Sequence, residues 1–181
     1  MIFTSTPLAG AFLLEPEPAI DHRGLFARTW CRREFDARGL ETRIAQCVTS
    51  FSKRKGTLRG MHYQSAPFAE TKLVRCTRGS IFDVIIDLRP QSPTFAGHFA
   101  AVLSAENRKM MYVPVGFAHG FQTLENDTEA FYQISEFYSP EHSHGVRWDD
   151  PSFRIPWPED DRTICDRDRT YPDLSPWIGV H

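Results

Sequence analysis

Two short segments contain histidines whose neighbours suggest acid–base or metal chemistry. In Lys55–Gln64, two glycines bracket an arginine, and His62 and Gln64 are two residues apart, so in a strand they share one face. In Pro114–Phe121, the pattern Pro-x-Gly-x-x-His places His119 just after a tight turn. Either histidine alone would more simply be a hydrogen-bonded structural residue, so a chemical role depends on the two segments acting together.

Together these segments resemble the paired motifs of the cupin superfamily, which are small antiparallel jelly-roll barrels. The first cupin motif has two histidines, an acid and a glycine, and here it reads His62, Gln64, Glu70 and Gly79. A metal-dependent cupin would bind its cation with His62, Glu70 and His119. Gln64 weakens that set because a neutral amide is a poor ligand beside imidazole. We therefore predict no metal and no cofactor, with an organic active site in the mouth of the barrel.

A longer series of motifs is similar to the dTDP-4-dehydrorhamnose 3,5-epimerase family. It runs from Asp21–Gly24 to Asp166–Asp168 and so covers nearly the whole chain. Its most specific parts are Lys53–Gln64, Lys72–Cys76, Asp83–Arg89, Ser92–Phe95, Val113–Phe121 and Trp148–Pro151. The resemblance implies an all-β cupin-type antiparallel jelly roll, a homodimer and a nucleotide-diphosphate keto sugar as substrate. The implied reaction is epimerisation at C3 and/or C5 of a 4-keto-6-deoxyhexose, with dTDP-4-dehydro-6-deoxyglucose as the first candidate.

The resemblance also implies a catalytic set whose chemistry suits this reaction. A proton next to the C4 ketone must be removed by a base and returned on the other face of the ring. His62 matches the base, and Asp168 matches the carboxylate that orients it. Lys72 matches the cation that stabilises the enolate oxygen, and Tyr132 matches the proton donor on the far face. From the sequence alone, Asp168 would be read as a surface residue and Tyr132 as a core aromatic.

A second set of residues matches positions that bind the substrate. Arginines suit the diphosphate because guanidinium offers two parallel hydrogen bonds to phosphate oxygens. An aromatic ring suits the nucleotide base, on which it stacks. The predicted binding residues are Arg23, Phe26, Arg28, Gln46, Arg59, His119, Tyr138 and Arg167.

Four positions depart from the pattern of the best-known members. Arg28 and Ser143 stand near the places of glutamates, Val48 replaces an asparagine, and Arg167 replaces a lysine. The catalytic set is intact while the nucleotide set is altered. The sequence therefore leaves open a single-centre epimerase, a CDP- or GDP-linked substrate, and a related ketoisomerase. A non-catalytic sugar-nucleotide binding module is the remaining alternative, and the retention of His62 and Tyr132 argues against it.

The composition indicates which elements must position these residues. The 181 residues are 41% hydrophobic and 24% charged, as in an ordinary globular protein, and we predict one domain over 1–181. A net charge of −2 argues against nonspecific nucleic-acid binding. Proline and glycine recur along the chain, which favours many short strands over alternating strands and helices. Strands are predicted at Lys72–Cys76, Ser80–Leu88, Lys109–Pro114 and Glu129–Tyr138, a short helix at Cys31–Gly39, and an irregular tail that wraps the barrel from Pro151.

The spacing of the cysteines and the distribution of apolar residues predict the cellular location of the protein. Four cysteines are widely spaced without a Cys-x-x-Cys pair, which favours reduced thiols in the cytoplasm. The N-terminal residues lack the basic and apolar regions of a signal peptide. No run of apolar residues is long enough to cross a membrane, so we expect no membrane partner.

Overall fold

The computed structural model describes residues 1–174, in which two antiparallel sheets face each other. One sheet has the strand order β1-β2-β10-β7-β12-β5 and the other the order β13-β6-β11-β8-β9, while β3 and β4 form a separate hairpin. The strands are β1 (Ile2–Ser5), β2 (Phe12–Glu15), β3 (Ala19–Asp21), β4 (Gly24–Phe26), β5 (Gln46–Ser52), β6 (Leu58–Gln64), β7 (Lys72–Arg78), β8 (Ser80–Asp87), β9 (His98–Ser104), β10 (Met110–Val113), β11 (Phe117–Thr123), β12 (Thr128–Ile134) and β13 (Ser143–Gly145). The predicted all-β antiparallel jelly roll is confirmed.

The main core lies between the two sheets. Val74 and Ala130 from the first sheet pack there with Ile81, Ile85 and Phe121 from the second. These residues alternate along their strands with residues on the opposite face, as expected for strands whose side chains point alternately to either side of a sheet. Phe121 lies at the edge of this core, where it also lines a cavity between the sheets.

The C-terminal segment covers the outer face of the second sheet. Val84 and Ile86 of β8 point outward and pack against Phe153 in a second buried cluster, with Trp157 at its edge. Because both faces of β8 are covered, its sequence reads as a continuous apolar run rather than as an alternating pattern. The predicted wrap therefore has a packing function over the described residues, while its last part, 175–181, lies outside the described residues. That the whole chain forms one domain stays a prediction.

The predicted short helix is present but ends earlier than expected. Helix α1 spans Arg32–Asp36, Phe35 anchors it in the core, and Gly39 takes a left-handed φ of 66° three residues after its end. The predicted fold includes short peripheral helices, and two more are present at positions that the sequence did not indicate: a 3₁₀ helix at Pro140–His142 and helix α2 at Asp166–Arg169. Over the described part of the chain, no helix has the length and apolar character needed to cross a membrane.

Two glycines allow β6 and β11 to approach closely beside the site. A Cβ atom on Gly60 would lie 2.6 Å from the Cα atom of Gly120, and Gly60 has a φ of 136°, which side-chain-bearing residues rarely adopt. A Cβ atom on Gly120 would in turn lie 2.5 Å from the sulfur of Met61. These contacts explain why a glycine directly follows both Arg59 and His119 in the two motifs.

Candidate active site

A cavity of about 390 Å³ opens between the sheets next to the main core, with Phe121 and Tyr132 at the boundary of the two. Of the predicted catalytic and binding residues, nine line it: Gln46, Arg59, His62, Lys72, His119, Tyr132, Tyr138, Arg167 and Asp168. They come from both sheets and from the C-terminal wrap. The fold thus gathers at one place side chains that are up to 122 residues apart, counted from Gln46 to Asp168.

The two sheets present different chemistry to this cavity. His62 of β6 and His119 of β11 are direct cross-strand neighbours in one sheet. In the opposite sheet, Tyr132 and Lys72 lie on the adjacent strands β12 and β7. The rings of His119 and Tyr132 meet edge to face with centroids 5.7 Å apart. A ligand between the sheets would therefore have a histidine wall on one side and the phenol and ammonium groups on the other.

His62 is hydrogen-bonded to a carboxylate at the back of the cavity. Its Nε2 atom lies 2.7 Å from Oδ1 of Asp168, and the other carboxylate oxygen accepts the amide N–H of Gly60 at 3.0 Å. With Nε2–H donating to the carboxylate, the unprotonated ring nitrogen of His62 is Nδ1. Asp168 is buried and His62 has 36% of its side chain exposed, so the carboxylate is fixed and the imidazole is accessible.

The pKa values of this pair favour a neutral imidazole beside an ionised carboxylate. Burial lowers the pKa of His62 below its usual 6.5, although Asp168 opposes that shift. Burial alone would raise the pKa of Asp168, but the hydrogen bonds from His62 and Gly60 outweigh it and hold that pKa below 3.8. His62 is therefore able to accept a proton at neutral pH.

A second histidine–carboxylate pair lies deeper in the barrel. Nε2 of His119 is 2.7 Å from Oδ1 of Asp83, and both side chains are almost fully buried. The other oxygen of Asp83 is buried without a hydrogen-bond partner among the described residues. Burial raises the pKa of Asp83 despite the opposing effect of His119. This pair fixes the ring of His119 where it meets Tyr132.

Tyr132 keeps its proton under ordinary conditions. Burial, followed by the negative charge of Asp83, raises the pKa of its phenol well above the usual 10, and Arg59 opposes this only in part. A phenol with a raised pKa remains a donor at neutral pH, which suits delivery of a proton to a carbanion.

The ammonium group of Lys72 is held between two acceptors. Its Nζ atom lies 3.0 Å from Oε1 of Glu70 and 3.4 Å from the carbonyl oxygen of His62. The Lys72 and Glu70 side chains are only 10% and 8% exposed. A fixed positive charge therefore lies in the cavity near the imidazole.

Basic and aromatic side chains form the rim of the cavity. A terminal nitrogen of Arg167 donates to Oγ of Ser143 at 2.9 Å and to its carbonyl oxygen at 3.1 Å. Hydrogen bonding to Arg167 lowers the pKa of the exposed Tyr138 phenol. Arg59 donates to Oγ of Ser52 at 3.3 Å. The rim thus combines two guanidinium groups with an accessible aromatic ring.

Three predicted binding residues are absent from the lining of this cavity. Arg23 pairs with Asp21 in the β3–β4 region, and Phe26 is 81% exposed at the end of β4. Arg28 pairs with Glu34 of α1. Within one chain, the hairpin therefore does not bring these side chains to the catalytic residues.

The three side chains that a metal-dependent cupin would use are each engaged elsewhere. His62 contacts Asp168, His119 contacts Asp83, and Glu70 contacts Lys72. Across residues 1–174, no group of three or more histidine, cysteine or acidic side chains has a metal-binding arrangement. The ammonium of Lys72, which lies 3.0 Å from Glu70, would also repel a metal cation bound there.

Sequence reasoning missed the groups that support the catalytic residues. Asp83 lies in a matched motif without an assigned role, although an acid inside a buried β-branched strand is itself a signal of a buried partner. The cupin motif assigns Glu70 only the role of a metal ligand. The amide of Gly60 carried no sequence signal as a hydrogen-bond donor, because its role depends on where α2 packs.

Comparison with known proteins identifies what this chain resembles. The family model described as dTDP-4-dehydrorhamnose 3,5-epimerase matches residues 5–176. A curated protein of that name from Sinorhizobium fredii is 41% identical over 175 residues, covering 96% of this chain and 90% of that protein. The crystal structure of a dTDP-4-dehydrorhamnose 3,5-epimerase from Bacillus anthracis, with TDP and PPi bound, superimposes with a TM-score of 0.92 at 40% identity and covers 96% of this chain and 99% of that one.

A structural relative with a narrower activity also matches. A 3'-monoepimerase from Streptomyces bikiniensis, solved in complex with dTDP-quinovose, gives a TM-score of 0.86 at 33% identity and covers 93% of this chain and 85% of that one. The same fold therefore occurs in proteins named for one inverted centre and in proteins named for two.

Proposed function

Since the chain belongs to the dTDP-4-dehydrorhamnose 3,5-epimerase family, we propose that it converts dTDP-4-dehydro-6-deoxyglucose to dTDP-4-dehydrorhamnose with His62, Asp168, Lys72 and Tyr132 as its catalytic residues. The enzyme is an isomerase of deoxysugar synthesis. The observation that carries the residue assignment is the His62–Asp168 pair, which faces Tyr132 and Lys72 across one cavity.

Proton abstraction is assigned to His62. The neutral imidazole removes the proton from the carbon next to the C4 ketone, and the electron pair of the broken C–H bond moves into the enolate. Asp168 accepts the hydrogen bond from the other ring nitrogen and stabilises the imidazolium that forms. Because Asp168 is buried and doubly hydrogen-bonded, it holds the ring in one orientation throughout.

Enolate stabilisation and reprotonation are assigned to the opposite wall. The ammonium of Lys72 would donate to the C4 oxygen, where negative charge is greater in the enolate than in the ketone, and so lower the barrier. Tyr132 would then give its phenolic proton to the carbanion from the face opposite His62. Transfer of a proton to one face after its removal from the other inverts the centre.

Substrate binding is assigned to the rim. Arg59 and Arg167 are suited to the diphosphate, and the accessible ring of Tyr138 is suited to stacking on the base. His119 and Gln46 line the same space as polar contacts. Ser143 and Val48 also line it, as does Arg167, so three of the four positions that depart from the best-known members line the cavity. A single-centre epimerase and a CDP- or GDP-linked substrate are the alternatives that these positions favour.

We infer that the active enzyme is a homodimer in which the β3–β4 hairpin reaches the partner's cavity. The support is that Arg23, Phe26 and Arg28, expected at the substrate, lie outside the cavity of their own chain. A phenylalanine that is 81% exposed at a hairpin end is also more consistent with a covered interface than with solvent. The four cysteines are free in the structure, which is compatible with work in the cytoplasm.

Proton NMR in deuterated water tests the reaction directly. Purified protein is incubated with dTDP-4-dehydro-6-deoxyglucose, and deuterium is expected to replace hydrogen at both C3 and C5. Exchange at one position only would identify a single-centre epimerase. Absence of exchange would contradict the dTDP sugar as substrate, and the CDP- and GDP-linked keto sugars would then be compared under the same conditions.

A further inference from the structure

A second carboxylate lies in the cavity besides that of the catalytic dyad, and the mechanism above does not use it. Glu70 lines the same space as His62 and Tyr132, and its Oε1 atom is 3.0 Å from Nζ of Lys72. The other two lysine ion pairs between described residues, Lys55–Glu159 and Lys109–Glu15, have partners that are 29% to 51% exposed. The Glu70–Lys72 pair is therefore the buried one.

A buried amide also contacts Glu70. Its Oε2 atom lies 3.2 Å from Nε2 of Gln64, a residue that is only 3% exposed. That amide nitrogen also lies 2.8 Å from the carbonyl oxygen of Phe68 and 3.1 Å from that of Phe137, and Oε1 of Gln64 accepts the amide N–H of Ser139 at 2.7 Å. Three acceptors share the two N–H donors of the amide, and the contact with Glu70 is the longest, so the main partner of the Glu70 carboxylate is the ammonium of Lys72.

We propose that Glu70 is a positioning residue for Lys72, holding its ammonium so that one N–H is directed at the C4 oxygen of the substrate. An ammonium group has three N–H donors. One faces Glu70 and one faces the carbonyl oxygen of His62. Lys72 also lines the cavity, so the remaining donor is available to a ligand there.

The contacts of Lys72 with Glu70 and with the carbonyl oxygen of His62 restrict a side chain that is otherwise flexible. Its ammonium is a point charge on a flexible four-carbon stem, whereas enolate stabilisation requires a charge that is already in place when the enolate forms. The contacts with Oε1 of Glu70 and with the carbonyl oxygen of His62 hold the ammonium of Lys72 in place. This inference rests on the proposed role of Lys72, and it adds a residue through which that role is exerted.

The same carboxylate has an opposite effect on binding. It adds a negative charge to a cavity that must accept a diphosphate, in which Arg59 and Arg167 supply positive charge and Asp168 further negative charge. Glu70 should therefore favour turnover while opposing affinity for the nucleotide. A residue that merely maintained the fold would not separate these two quantities.

The test is Glu70→Gln, which retains the shape of the side chain and removes its charge. We expect kcat for the dTDP keto sugar to fall about 10- to 100-fold, which is less than the roughly 10²- to 10³-fold loss for removing a direct oxyanion donor, because Lys72 itself is retained. We expect the Kd for dTDP, measured by calorimetry, to stay equal or to decrease by a few-fold. Glu159→Gln is the matched control. It removes the carboxylate that lies 2.9 Å from Nζ of Lys55, in a partly exposed ion pair outside the cavity, and it should leave both values unchanged.

Two further variants separate this inference from the role on which it rests. If Glu70 acts through Lys72, the double variant Glu70→Gln/Lys72→Met should have the same kcat as Lys72→Met alone. Glu70→Asp, which keeps the charge and shortens the reach, should lower kcat with no gain in dTDP affinity, and it keeps the test decisive if Glu70→Gln folds poorly. An unchanged kcat in Glu70→Gln, or kcat and dTDP affinity falling together, would overturn the inference. Full activity of Lys72→Met would instead overturn the role of Lys72 itself.

Discussion

Nε2 of His62 lies 2.7 Å from Oδ1 of Asp168, and the backbone N–H of Gly60, two residues before His62, donates to the other oxygen of the same carboxylate at 3.0 Å. One buried acid is therefore bound twice by strand β6. Both the imidazole of His62 and the backbone of β6 are hydrogen-bonded to Asp168 of α2. The orientation of the base therefore depends on the packing of the C-terminal segment against β6.

Replacing Asp168 by asparagine should strongly impair proton abstraction. An amide no longer requires the N–H form at Nε2 and cannot stabilise the imidazolium, so kcat should fall by about 10²- to 10⁴-fold. Deuterium exchange at C3 and C5 in heavy water measures the step directly. Asp160→Asn is the control, because its carboxylate is fully exposed and pairs with Arg162 outside the cavity. Near-normal exchange in Asp168→Asn would contradict the dyad.

The pH dependence of kcat/KM should report the protonation of His62 in the free enzyme. Burial lowers the pKa of His62 below 6.5, and only the neutral form accepts a proton, so activity should be full at pH 7 and decline as the pH falls through that lowered pKa. The raised pKa of Tyr132 means that loss of its proton should not reduce activity below pH 10.

The acidic side of that profile should move in the Asp168→Asn variant. Asp168 raises the pKa of His62 against the effect of burial. Loss of this carboxylate should therefore lower the pKa of His62, and the pH at which the remaining activity is half-maximal should decrease. Steady-state rates across pH 4.5 to 8, after a check that each variant stays folded, provide the comparison. A midpoint above 7 in the unmodified enzyme would show that a different group acts as the base.

Tyr132→Phe should separate reprotonation from abstraction. The variant retains the ring that packs against His119 but has no phenolic proton to deliver, so inverted product should form about 10²- to 10⁴-fold more slowly. Deuterium exchange catalysed by His62 should decline much less. Tyr112→Phe is a control, because Tyr112 is a buried tyrosine that accepts the amide N–H of Glu41 away from the cavity. Equal losses of exchange and product would contradict a far-face donor role.

Mixing two inactive variants should restore activity if the hairpin acts on the partner subunit. In a dimer of Arg23→Ala and His62→Ala chains, one cavity would combine an intact His62 with an intact Arg23 from the other chain. Random exchange of subunits should therefore recover about a quarter of the normal number of sites. Sedimentation of each variant confirms that dimers persist. Failure to recover activity from dimers that have exchanged subunits would restrict Arg23 to its own chain.

The residue patterns alone predicted the fold class, several strands and most of the residues that line the cavity. The strand at Ser80–Leu88 was recognisable from its β-branched run, and the motifs around His62 and His119 identified the two strands that meet in the cavity. These predictions succeed because side-chain periodicity and turn residues act over a few neighbouring positions. The order of the motifs along the chain also indicated the family, which the comparisons confirm.

Only the tertiary structure decided how distant groups combine. The pairing of His62 with Asp168, of His119 with Asp83, and of Lys72 with a buried Glu70 depends on how strands from both sheets and a four-residue helix pack together. No local pattern records those contacts, because hydrogen bonding and burial are set by atoms from remote parts of the chain. Burial is also what shifts the pKa of the base below 6.5 and that of the phenol above 10, and so gives two common side chains opposite tasks.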